Sequence, residues 1–206
     1  RTARPADSLE PLRIGFFSCQ LWTEGFYTAH RGLAGEDCDV IVCLGDYMYE
    51  RNGSGVREDR SSAGETGECE LLSEYRAKYR LYRSDPDLQA MHASAAFLAT
   101  WDDHEVENNH AGEHEGTTAE RRVSYAERRR NAYAAWFEQM PTERFGRDAD
   151  RIFRSVRLGG LAEILVLDQR QYRDAQACDD TPGIPCPESH DPGRTMLGAR
   201  QEAWLK

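Results

Sequence analysis

Short apolar runs punctuate this chain at residues 12–18, 39–44 and 95–100, each followed by polar or turn-forming residues. Runs of that length with turn signals behind them predict buried strands. Two more runs, 152–158 and 161–167, flank Gly159-Gly160 and predict a hairpin with a two-residue turn. Between the runs the apolar spacing becomes helical. Leu71, Leu72, Tyr75, Tyr79 and Tyr82 lie on one stripe, predicting a helix over 71–82. Residues 26–35 form another, with Gly35 near its end. Ser84-Asp85-Pro86-Asp87 supplies a cap and first turn for a short helix through His92. A long helix is expected over 119–140, stopped by Pro141, and a last one begins at 197. Residues 51–67, 108–118 and 174–195 lack periodicity and are read as loops, the first a mobile one. Strands alternating with helices make the fold class α/β.

The chemistry gathers where the strands stop. Leu44-Gly45-Asp46-Tyr47-Met48-Tyr49-Glu50 follows the second run, and Thr100-Trp101-Asp102-Asp103-His104-Glu105 follows the third. Open α/β sheets bind their ligands at the carboxyl ends of strands. Hard oxygen donors collected there suggest a multivalent cation and hydrolysis. A carboxylate at Asp46 can bridge two cations, and a phenolate at Tyr49 binds ferric iron well. The plainer alternative is a turn-capping Asp46 and a core Tyr49. Three acids and a histidine within 102–105 are costly together without a cation; the alternative is a solvated loop. Cys19 closes the first strand and, alone, reads as a buried cysteine. His110 and His114 read as solvated or rim residues. Arg128-Arg129-Arg130 reads as a solvated helix face.

Composition narrows the class. The formal net charge is −10, which argues against a nucleic-acid surface. Lys78 and Lys206 are the only lysines, so 24 of the 26 basic residues are arginines, fork-shaped donors suited to phosphate. No apolar stretch approaches the roughly 20 residues of a membrane helix. Six cysteines, an even number, fit an oxidising compartment. Cys178 and Cys186 bracket a turn-rich loop and are expected to be joined. Cys38 with Cys69 is a weaker candidate pair, and Cys43 is expected to be a buried inert thiol.

Together these segments resemble the PhoD-type alkaline phosphatases and phosphodiesterases, a branch of the calcineurin-like metallophosphatases. The resemblance rests on Ser18-Cys19-Gln20, on residues 45–50, on Trp101-Asp102-Asp103-His104-Glu105 with the residues through Asn109, on Leu167-Asp168-Gln169-Arg170 and on residues 197–205. These occur in family order. The Trp-Asp-Asp-His-Glu cluster is highly specific, whereas Gly-Asp-x-x-Tyr is shared with purple acid phosphatases.

The resemblance implies a sandwich of two β-sheets flanked by helices, of which the chain is about the N-terminal half. Residues 1–11 become a linker from a small β-sandwich domain, and 12–206 part of the catalytic domain. It also implies Fe3+ and Ca2+ at one centre. Cys19 and Tyr49 become iron ligands, Asp46 the iron–calcium bridge, and Asp103 with Asp102 calcium ligands. His104 falls where the wider superfamily positions the phosphate. The implied reaction is phosphoester hydrolysis by a metal-bound hydroxide, on monoesters, on diesters or on phospholipids as a phospholipase D. Further histidine ligands are expected from a companion segment of the same precursor. The expected location is secreted or extracytoplasmic. A rival of another class is a non-catalytic, calcium-stabilised binding protein on the same scaffold.

Overall fold

A computed structural model describes residues 4–61, 67–116, 121–181, 183 and 185–206. Strand β1 (Ile14–Phe17) leads through helix α1 (Thr28–Gly35) to β2 (Val40–Cys43). A small β3 (Gly53–Ser54) and β4 (Glu58–Asp59) precede helices α2 (Leu72–Tyr82) and α3 (Pro86–Ser94). Then follow β5 (Ala96–Ala99), α4 (Tyr125–Gln139), β6 (Arg154–Leu158), β7 (Ala162–Val166) and α5 (Gly198–Leu205).

β1, β2 and β5 form a parallel sheet in the order β1-β2-β5, with Phe17, Cys43 and Ala99 in register. Parallel strands need crossovers, and α1 provides the first, while α2 and α3 lie in the second. Side chains alternate across the sheet. Ile41, Cys43 and Ala99 point into a core built largely of rings, among them Tyr47, Tyr75, Tyr79 and Trp136. The opposite face carries Ile14, Phe16 and Leu44, at 41%, 70% and 50% exposure. β6 and β7 pair antiparallel and lie near this face, where Val42, Thr100, Ile164 and Val166 line one cavity.

Several elements differ from the sequence expectations for definable reasons. The long helix starts at Tyr125, because the Ser124 side chain caps it by accepting from the Glu127 N–H. The expected residues 119–120 lie outside the described part. The hairpin loop has three residues rather than two, since Leu158 pairs with Ala162. The loop 51–67 contains β3 and β4, and buried Asp59 pins it to Lys78 at 2.7 Å; its residues 62–66 are not described. Arg128 is fully buried rather than solvated, with Glu107 at 2.6 Å and Glu68 at 3.0 Å; Arg130 alone of the run is exposed. His110 is likewise buried, between the Tyr125 and Tyr133 hydroxyls, so it is no rim residue. Its pKa is lowered to about 3, chiefly by burial and then by Arg129 and Arg170. His114 is exposed, as expected.

Cys178 and Cys186 form the expected disulfide. Cys38 and Cys69 are separate buried thiols, not a pair, and Cys43 is buried as expected. Residues 4–11 are not regular structure, yet they are tethered. Arg4 pairs with Asp39 at 2.7 Å, and the Gly160 N–H donates to Ser8 O at 2.8 Å. Trp204 of α5 rests on Phe153 at 5.2 Å between ring centroids, whereas Leu205 is 40% exposed. Among the described residues no helix is long and apolar enough to cross a membrane.

Candidate metal centre

The parallel sheet sets the centre because all three strands end at one edge. β1 runs into Cys19, β2 into Asp46 and β5 into Asp102 and Asp103. The first two turns interlock: Cys19 N–H donates to Gly45 O and Gln20 N–H to Asp46 O, both at 3.2 Å. Gly45 has φ +111°, and a Cβ there would stand 2.5 Å from Asp102 N. Only glycine permits that approach between the second and third turns. Cys19 and Asp46 are both left-handed, at φ 55° and 52°. Left-handed non-glycine residues cost energy and persist where their surroundings dictate the conformation.

Glu105 ties the turns together from below. Its buried carboxylate accepts from Tyr47 N–H at 2.7 Å, Asp102 N–H at 2.8 Å and Asp46 N–H at 3.1 Å. Burial and then the Asp46 charge push its pKa up to about 8, against the three N–H donors that favour the anion.

Above this base, ligand atoms of Asp46, Asp103 and His104 all lie within 4.8 Å of one another, and all three residues are buried. The Tyr49 hydroxyl donates to Asp46 Oδ2 at 3.1 Å. The Cys19 thiol interacts with both the Asp46 carboxylate and the Tyr49 phenol. Asp103, His104 and Tyr49 thus gather around Asp46, with Cys19 beside Asp46 and Tyr49. Asp102 stands apart: it is about one-third exposed, and its Oδ1 takes Arg170 Nε at 2.5 Å. Arg170 also reaches Asp103 Oδ1 at 3.1 Å, while Asn109 N–H donates to Asp103 Oδ2 at 2.7 Å.

The electrostatics suit a cation. Burial raises the pKa of Asp46, and the Asp103 and Asp102 charges add to it despite His104. Burial likewise raises Cys19 and Tyr49, each reinforced by Asp46. A carboxylate, a thiol and a phenol therefore resist ionisation around one point. A multivalent ion there would reverse that balance, because it would stabilise each anion directly. Carboxylate, thiolate and phenolate would form a donor set that fits ferric iron beside a hard divalent ion.

His104 is held in a defined state. Nδ1 meets Glu50 Oε2 at 2.8 Å, which leaves Nε2 as the nitrogen available to the cluster. Glu50 Oε1 accepts from Asn108 N–H at 3.0 Å, fixing the carboxylate. Burial lowers the His104 pKa, but Glu50 and then the Asp103 and Asp46 charges outweigh it, so the net shift is upward. The Tyr49 ring lies 4.1 Å from the imidazole.

A sequence profile of the PhoD-like phosphatases matches residues 14–206. The chain belongs to the PhoD-like phosphatase family. It is 40% identical over 212 residues to alkaline phosphatase D of Bacillus subtilis (strain 168), covering 98% of this chain and 35% of that protein. A solved structure described as that of PhoD is similar with a TM-score of 0.82 and 38% identity, covering 98% of this chain and 40% of that one. The chain thus spans about 35–40% of the length of these relatives, and its fold is calcineurin-like.

Glu50, Glu105 and Arg170 shape the centre, yet residue type and spacing did not assign them roles. Glu50 closes the family-like segment 45–50, and Glu105 lies within the segment 101–109. The Arg170 signal was its place just beyond β7, in the Leu167-Asp168-Gln169-Arg170 segment. Asp168 supports that segment from within: it is buried and accepts from Trp101 Nε1 at 3.1 Å and from Arg170 N–H at 3.0 Å.

Proposed function

We propose that this chain contributes much of the metal centre of a phosphoester hydrolase. The observation that carries the proposal is the buried convergence of Asp46, Asp103 and His104 at the edge of the parallel sheet. In this reading Cys19 and Tyr49 would hold Fe3+, Asp46 would be shared between it and Ca2+, and Asp103 would hold Ca2+. Asp102, paired with Arg170, serves at the rim. The bound ions supply Lewis acidity, which lowers the pKa of water and neutralises phosphoryl charge.

The residues of the chain supply placement and a proton. His104, oriented through Nδ1 by Glu50, directs Nε2 toward a phosphoryl or leaving-group oxygen as a hydrogen-bond donor. Glu105 and Gly45 hold the turns of Asp46 and Asp102 at fixed separation, so little reorganisation accompanies the reaction. Arg170 restrains the two adjacent aspartates, which would otherwise repel each other.

The substrate is a phosphomonoester or phosphodiester, with phospholipid head groups as one diester class. Remaining ligands come from a companion segment of the longer protein. The limited coverage of the relatives and the exposed Ile14, Phe16 and Leu44 support this. The Cys178–Cys186 disulfide supports a secreted or extracytoplasmic setting. A calcium-stabilised binding protein would have no need of Cys19 and Tyr49 beside Asp46.

The test is hydrolysis of p-nitrophenyl phosphate, bis(p-nitrophenyl) phosphate and phosphatidylcholine vesicles by the full-length protein. Activity on at least one should vanish on prolonged chelation and return with iron and calcium. Metal loading without turnover of any of the three would favour the binding-protein alternative.

A further inference from the structure

Gln20 occupies an unusual position between the Cys19 and Asp46 turns. It is 8% exposed, and all of its polar groups are engaged. Its N–H donates to Asp46 O at 3.2 Å, and its own carbonyl accepts from the Tyr27 hydroxyl at 2.7 Å. Its side-chain Nε2 donates to Tyr47 O at 2.7 Å, and Oε1 meets His30 Nε2 at 2.7 Å. That amide orientation follows from the network, because Tyr47 O can only accept. His30 Nε2 must then carry the proton. Buried His30 is braced by Phe17 at 4.6 Å and Tyr27 at 5.5 Å between ring centroids, both edge-on.

We infer that Gln20, backed by His30 and Tyr27, is a positioning residue that locks the left-handed Cys19 turn against the left-handed Asp46 turn. One residue thereby connects the end of β1, the turn after β2 and helix α1. Cys19 follows a strand end and carries an exposed side chain, so beyond its N–H bond to Gly45 O and the thiol's contacts with Asp46 and Tyr49 no core packing holds it. The link through Gln20 adds a buried restraint. Both neighbouring turns carry proposed metal ligands, so the importance of the clamp for metal binding rests on the function proposed above. The clamp itself is a property of the polypeptide.

The test compares the metal-free full-length protein with Gln20→Glu, Gln20→Ala and His30→Gln. Gln20→Glu is nearly isosteric and keeps the acceptor for His30, but it sets a carboxylate oxygen against Tyr47 O. Amide hydrogen exchange of the peptide carrying the Cys19 and Gln20 N–H groups is read by mass, with iodoacetamide labelling of buried Cys43 and Cys69 as the reporter of general opening. In Gln20→Glu that peptide should exchange about tenfold faster than in the wild type while Cys43 and Cys69 stay protected, the effect of stranding one buried hydrogen-bond partner. His30→Gln, which can still donate to Oε1, should exchange closer to the wild type. Unchanged exchange in folded Gln20→Glu would overturn the clamp. Faster exchange matched by equal opening at Cys43 and Cys69 in every variant would overturn it too, showing only a general packing role. Iron titration then separates the two proposals. Faster exchange with unchanged iron affinity keeps the clamp and rejects Cys19 as an iron ligand.

Discussion

Replacing Lys78 by Met should destabilise the protein by about 3–5 kcal/mol, the cost of leaving a buried charge without its partner. Lys78 and Asp59 have side-chain exposures of 0% and 1%. The three ammonium protons have three acceptors: Asp59 Oδ2 at 2.7 Å, Arg51 O at 2.6 Å and Asn52 Oδ1 at 3.1 Å. Met fills the space of the stem but offers no donor. Asp59 then keeps only the Ser61 N–H and hydroxyl on Oδ1. Arg51 and Asn52 directly follow Tyr49 and Glu50, so the loss also loosens the segment that orients His104. Urea unfolding, read as midpoint and slope, measures the change. Lys78→Met/Asp59→Asn should recover about 1–2 kcal/mol of the loss, because the unpaired charge is gone while the acceptor for Ser61 remains. A single variant costing less than about 1 kcal/mol would refute the reasoning, as would a double variant no more stable than Lys78→Met.

Three other outcomes follow from the same geometry. Tyr49→Phe should abolish a visible charge-transfer band in the metal-loaded protein; a band of unchanged intensity would remove Tyr49 as an iron ligand. Reducing Cys178–Cys186, eight residues apart, should lower stability by about 2–3 kcal/mol on the chain-entropy estimate, and an unchanged unfolding midpoint would contradict it. Glu74 is opposed by burial, but Arg122 and the N–H groups of Glu70 and Leu71 bring its pKa down to about 2. Its folded pKa lies below its unfolded value near 4.5, so its stabilisation is complete above that value and fades as pH falls toward 2. Glu74→Gln should flatten that part of the acid-unfolding profile, and an unaltered slope would disprove the assignment.

Much of this architecture was legible because its signals are local. The apolar runs at 39–44 and 95–100 identified β2 and β5, and the acids after them lie at the edge where Asp46, Asp103 and His104 come together. The Asp85-Pro86 cap was legible for the same reason, and the Asp85 side chain indeed accepts from Asp87 and Leu88 N–H. The misreadings depended on partners distant in sequence. Arg128 looks solvated until Glu68 and Glu107 are brought beside it. His110 looks like a rim residue until α4 supplies Tyr125 and Tyr133. The contact of Asp102 with Arg170, 68 residues away, is another that no local signal shows. The roles of Glu50 and Glu105 likewise depend on backbone N–H groups more than 50 residues distant. The late start of α4 is different: Ser124 and Glu127 were a readable capping pair that the longer apolar pattern obscured.

Elemental analysis of the full-length protein, wild type beside Asp46→Asn, bears most directly on the proposed centre. Asp46 touches Tyr49 and lies within ligand reach of Asp103 and His104. The wild type should therefore contain both iron and calcium after exhaustive dialysis, and folded Asp46→Asn should lose both together with phosphoester hydrolysis. A wild type active without either metal, or an Asp46→Asn protein retaining both at full occupancy, would contradict a centre built on Asp46.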